Sequence, residues 1–180
     1  MPATTRLASL TALLIAALIA GCASMSGSDS ITPDIRAAVT AADRTDADRQ
    51  VDKRRDPEKL LAFAGVRPGM KVAEISAGAG YTAELLARVV GPSGTVYAQD
   101  VKGDRPWFAR FNERAQKPVM KNVVRVLRDF DDPLPPEAAQ LDLITVLFGY
   151  HDITYMEVDR AKMNRAFFNA LKPGGRLVIA

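Results

Sequence analysis

Glu74, Gly78, Gly80 and Asp100 stand out for the chemistry their types and spacing allow. Residues 74–81 read EISAGAGY, with the two glycines between an apolar stretch of strand character and a stretch of helical periodicity. Such a pair permits a tight turn and lets a ligand approach the backbone at a helix N-terminus. Asp100 lies 20 residues beyond Gly80, at the end of the next apolar stretch. A carboxylate there can accept hydrogen bonds from both hydroxyls of a ribose. Glu74 falls inside the first strand, and burying a carboxylate is costly unless it meets a partner. A second group, Tyr150-His151-Asp152, follows a strongly apolar strand and contains the chain's one histidine. Imidazole titrates near neutrality and can take a proton from a hydroxyl or amine, with Asp152 orienting it.

Composition narrows the field. The chain has 180 residues, 48% of them hydrophobic, enough for one domain with a normal core plus an extension. The net charge of +3, from 24 basic and 21 acidic side chains, is too small and too evenly spread to point to nucleic acid. One cysteine, Cys22, leaves no intrachain disulfide, and with a single histidine no His/Cys metal cluster can form. No metal site is expected.

From residue 56 onward, helix and strand patterns alternate. Helices are predicted over 57–64, 81–90, 106–116 and 155–171, and strands over 70–75, 95–99, 123–127, 141–148 and 176–180. This order predicts an α/β, Rossmann-like doubly wound, mostly parallel sheet covered on both faces. Ligands in such sheets bind at the carboxyl ends of the strands, near the switch point. The loop after the first strand, with Gly78 and Gly80, falls there.

The N-terminal part reads differently. Arg6 is the one charge ahead of LASLTALLIAALIA at 7–20, a run shorter than the roughly 20 residues that span a bilayer and suited to a signal-peptide core. Ile19-Ala20-Gly21-Cys22 resembles the bacterial lipobox. That resemblance implies a lipid on the Cys22 thiol, cleavage just before it, and a membrane attached through the N-terminal lipid. Ala23, rather than Asp, would then point to the outer membrane facing the periplasm in a Gram-negative cell. Residues 24–30 read as a tether and Thr32-Pro33 as a helix start, with a short helix over 35–42. Residues 43–56, dense in alternating Asp and Arg, read as a solvated surface segment. The expected organisation is a lipoprotein signal peptide at 1–21, a lipidated and charged segment at 22–55, and the folded domain at 56–180.

Gly78-x-Gly80-x-x-Ala83 fits a dinucleotide fingerprint, which leaves a nicotinamide-dependent oxidoreductase open. Two features favour S-adenosyl-L-methionine instead: Glu74, which would meet an ammonium but repel a pyrophosphate, and the ending LKPGGRLVI. VAEISAGAGYTAELLA, VYAQD and LKPGGRLVIA together resemble motif I, the second-strand acid and the turn before the fifth strand of class I methyltransferases, over about 56–180. A closer likeness is to bacterial methyltransferases with signal peptides that carry a YHD triplet after the fourth strand. The resemblance implies that Glu74, Gly78 and Gly80 frame the methionine part of the donor and Asp100 binds ribose. Asp129 would lie by the adenine amino group, and Phe130 would line the adenine pocket. It implies methyl transfer to a small-molecule or envelope acceptor. A non-catalytic envelope binding protein with the same fold is the alternative. The family continues past its fifth strand, so the expected domain is truncated there.

Overall fold

The computed structural model describes residues 30–180; the signal-peptide, Cys22 and tether readings lie outside these residues. In chain order the elements are α1 (Pro33–Thr40), α2 (Asp46–Arg55), α3 (Pro57–Ala64), β1 (Lys71–Ile75), α4 (Tyr81–Val90), β2 (Thr95–Asp100) and α5 (Phe108–Ala115). A 3-10 turn (Pro118–Asn122), β3 (Val123–Leu127), β4 (Leu141–Val146), α6 (Tyr150–Thr154), α7 (Arg160–Ala170) and β5 (Leu171–Ile179) follow. The five strands form one sheet in the order β3-β2-β1-β4-β5, and every pairing is parallel. The order reverses beside β1, so the switch point lies between β1 and β4.

Strand residues alternate between two cores. Val72, Val96 and Leu143 face the layer of α1, α3 and α4, while Ala73, Ile75, Ile144 and Val146 face Ile153 of α6 and Met163 and Phe167 of α7. Both faces of β1 and β4 are thus covered, as an all-parallel sheet requires. α4 is buried on nearly every side, and even Glu84 is 1% exposed.

Three expectations change. Residues 43–56 are not a solvated segment: they hold α2, capped by the Thr45 hydroxyl accepting from the Asp48 N–H at 3.1 Å, and Arg44 and Asp48 are buried. Their partners lie far along the chain, where local charge density gives no hint of them. The helix expected over 155–171 is shorter, α7 alone at Arg160–Ala170, and a separate α6 over Tyr150–Thr154 precedes it. Asp159 caps α7 by accepting from the Lys162 N–H at 3.0 Å, which leaves the YHD triplet inside the separate α6. The last strand begins at Leu171 rather than 176, because Leu171 pairs with Leu141 ahead of an irregularity in the ladder. α1, with Ile35 fully buried, packs on α3 and α4, so the packed unit takes in residues before Asp56.

Candidate functional site

The exit of β1 is held from the neighbouring strand. Gln99, fully buried, accepts from the Ser76 N–H at 3.1 Å through its Oε1 and donates to the Arg128 carbonyl at 2.7 Å through its Nε2. One amide thus ties together the ends of β1, β2 and β3. The chain then turns through Ser76 (φ 62°), Gly78 (φ 57°) and Gly80 (φ 78°) into α4. The two glycines have different reasons. A Cβ on Gly78 meets no atom within 4 Å and would project into the cavity this residue lines. A Cβ on Gly80 would stand 2.9 Å from Phe111, so Gly80 serves helix packing.

Two cavities meet at the switch point, sharing Ser76, Gly149 and Asp152. The larger, about 340 Å³, is lined by Glu74, Gly78, Tyr81 and Phe148 with Arg54 and Arg55 from the end of α2. The smaller, about 180 Å³, is lined by Asp100, Arg105, Trp107, Phe130 and Met156. Three non-glycine residues with left-handed backbone surround them: Asp56 beside Arg55, Ser76, and Phe148 (φ 42°, 62° and 61°). Backbone strain of this kind persists where surrounding structure enforces it and clusters at functional sites.

Glu74 is 4% exposed, and its Oε2 is buried without a hydrogen-bond partner among the described residues. Burial pushes its carboxyl up to about 8, against a downward pull from the Thr82 hydrogen bond and the Arg55 charge. A carboxyl so placed fits an ammonium, which would supply the missing donor. The linkage has a definite sign. The folded carboxyl keeps its proton to about pH 8, whereas an unfolded one loses it near 4.5. Its stabilising contribution is therefore whole below pH 4.5 and is lost as pH rises through 8, at a limit of about 1.4 kcal/mol per unit. Glu74→Gln should gain on the wild type in denaturant unfolding between pH 5 and pH 8. Parallel stability curves would show that Glu74 is ionised in the folded protein.

Asp100 is buried at the end of β2. Its Oδ1 accepts from the Val101 N–H at 2.8 Å and its Oδ2 from the Trp107 indole at 2.6 Å. The Trp107 contact, seven residues on, gave no signal in the sequence, and neither did Gln99 or Arg55. Phe130 is buried and lines the smaller cavity. Asp129 lines neither cavity; its exposed carboxylate pairs with Lys102 at 3.4 Å. Asp152 lines both cavities, but His151 lines neither: its side chain is 71% exposed, with Nε2 3.3 Å from Asp152 Oδ1. Among the described residues no group of three or more His, Cys, Asp or Glu could hold a metal, and no helix is long and apolar enough to cross a membrane.

A buried charge network fixes α2 against the site. Arg114 donates to Asp48 at 2.8 and 3.1 Å, to Glu84, and through Nε to the Ala79 carbonyl of the glycine loop at 3.0 Å. Glu84 also accepts from Arg88 and Lys117. Burial raises the Asp48 and Glu84 carboxyls, but these cations outweigh it and hold both below the ordinary range. One turn further along the same face of α2, Asp52 accepts two hydrogen bonds from Arg44 and one from the Tyr81 hydroxyl, at 2.6–2.7 Å.

Comparison with known proteins agrees with this geometry. The ubiquinone/menaquinone biosynthesis C-methyltransferase UbiE of Cupriavidus taiwanensis is 32% identical over 120 residues, 66% of this chain and 46% of that protein. The same-named protein of Ectopseudomonas mendocina is 33% identical over 119 residues, 66% of this chain and 44% of that one. The chain thus spans less than half the length of these curated relatives. The crystal structure of a SAM-dependent methyltransferase from Aquifex aeolicus superposes with a TM-score of 0.58 at 27% identity, covering 76% of this chain and 72% of that one. Residues 50–180 match the model of the ubiE/COQ5 methyltransferase family, and with its five parallel strands and class I methyltransferase fold the chain belongs to that family.

Proposed function

We propose that this chain transfers a methyl group from S-adenosyl-L-methionine to a small apolar acceptor. The observation that carries the reading is the pair of buried carboxyl groups, Glu74 and Asp100, one in each of the two cavities that meet at the switch point. When bound, the donor supplies an electrophilic methyl group open to in-line displacement, so the protein's task is largely positioning. Glu74 takes the ammonium of the methionine end, and Gly78 leaves room for it. Asp100 takes the ribose hydroxyls once the Trp107 indole yields or shares Oδ2. Phe130 offers its ring to the base. Asp129, on the evidence of its ion pair with Lys102, reaches the adenine only if that pair opens.

The acceptor end lies where the cavities meet. Asp152 stands there to take a proton, and His151 beside it passes the proton to solvent. Tyr155, 90% exposed, and Met156 offer apolar surface at the end of α6. The relatives' name, a C-methyltransferase of quinone biosynthesis, favours an aromatic ring carbon as the methylated atom. If Cys22 carries a lipid, the domain works at the cell envelope and its acceptor is a component found there.

Asp100→Ala tests the donor site. Hydrogen bonds to a charged group contribute about 1.5–3 kcal/mol, so affinity for S-adenosylhomocysteine should fall about tenfold or more in calorimetry. Unchanged affinity would remove Asp100 from the site.

A further inference from the structure

Arg55 ends α2 at a sharp corner. Asp56 follows in left-handed conformation (φ 42°), and Pro57 starts α3 immediately. The corner turns Arg55 into the larger cavity, where its guanidinium lies 4.6 Å from the centre of the Phe148 ring and 5.4 Å from that of Tyr81. An arginine stacked on aromatic faces is oriented but keeps its in-plane N–H groups available. The acid on its own helix that could neutralise it, Asp52, is already used by Arg44 and Tyr81. No carboxylate forms an ion pair with Arg55 among the described residues, whereas Arg44, Arg49 and Arg88 each have one.

The same cavity holds the opposite imbalance, since Glu74 Oε2 is buried without a partner. Arg55 and Glu74 influence each other electrostatically yet make no ion pair. One cavity therefore presents a cation without an ion-pair partner and a carboxyl group with an unpartnered oxygen. The ligand that completes both at once carries an anion and a cation close together, as an α-amino acid group does. Neither a nucleoside nor a simple amine satisfies both.

We propose that Arg55 reads the carboxylate of the donor's amino-acid end and so makes the site selective for ligands that keep it. This rests on the donor reading given above. Arg54, which also lines the cavity, is exposed to solvent and has no aromatic shelf among the described contacts, so it does not share the role.

The test compares two ligands that differ at one group: S-adenosylhomocysteine and its decarboxylated analogue, S-adenosyl-3-thiopropylamine. Both are titrated by calorimetry into the full chain and into the Arg55→Met, Arg55→Lys and Arg54→Met variants. The wild type should prefer S-adenosylhomocysteine by about tenfold or more, the value of a charge-assisted hydrogen-bonded pair. Arg55→Met should bring the two affinities within about threefold by weakening the carboxylate-bearing ligand alone, and Arg55→Lys should keep part of the preference. Arg54→Met should keep all of it. A merely structural role for Arg55 would weaken both ligands together, and that result overturns the proposal, as does a preference lost in Arg54→Met. A wild type that binds both ligands equally overturns it while leaving the donor reading intact. A wild type that binds neither overturns both.

Discussion

Arg114→Met should destabilise the folded protein by about 3–5 kcal/mol, the usual cost of stripping a buried carboxylate of its partner. Two carboxylates depend on Arg114: Asp48 of α2 and Glu84 of α4, which are 4% and 1% exposed. Lys117 and Arg88 still reach Glu84 after the substitution, but no other cation makes an ion pair with Asp48 among the described residues. The variant also loses the Nε bond to the Ala79 carbonyl, so the glycine loop should loosen along with α2. Denaturant unfolding at pH 7 reads the effect, with Arg49→Met as the comparison. The one carboxylate that Arg49 pairs with among the described residues is the exposed Asp46, at 3.9 Å, beside two long bonds to the Ala41 and Arg44 carbonyls, and such surface pairs contribute about 0–1 kcal/mol. Equal losses in the two variants would mean that α2 is not held by the buried network.

The second large effect concerns turnover. Asp152→Asn should lower methyl transfer about a hundredfold while donor affinity stays within error, the lower range of a general-base effect. The reason is placement: Asp152 lines both cavities at their junction, where the donor's methyl and an acceptor would meet. His151, with Nε2 3.3 Å from Asp152 Oδ1, lines neither cavity, so His151→Ala should slow turnover less. The sequence suggested the opposite order, with histidine as the base and Asp152 as its support. Asp152 lines both cavities and His151 neither, and that placement is why the larger loss is expected at Asp152. Single-turnover transfer from labelled donor to an acceptor found in envelope extracts gives both rates. Wild-type turnover in Asp152→Asn would leave positioning as the whole of catalysis.

What the sequence revealed follows the range of the forces involved. α4 and β3 fall at the residues their periodicity predicts, and the glycine turn sits where strand gives way to helix. These are local signals: apolar spacing, Gly-Pro stops and left-handed turns that favour glycine. Glu74 was legible for the same reason, since a carboxylate inside an apolar strand must be buried. The α2 network was not. Asp48 meets Arg114 across 66 residues, so only the fold turns this run of charges inward. Yet Thr45 with Asp48 three residues on, and Lys53-Arg54-Arg55 in the last turn, are an N-cap and a dipole-compensating end that identify the helix. Gln99 and Trp107 were missed on similar grounds. A polar residue in β2 gains its meaning from the strand ends beside it, and an indole gains its own from the carboxylate that the loop after β2 turns it toward.

The cavities at the β1–β4 switch point should hold S-adenosylmethionine rather than a dinucleotide. Calorimetric titration of the full chain with S-adenosylmethionine, S-adenosylhomocysteine and NAD tests it most directly. Saturable binding of the first two at one site per chain, with no heat from NAD, is the predicted result. Saturable binding of NAD without binding of either adenosyl ligand would contradict it.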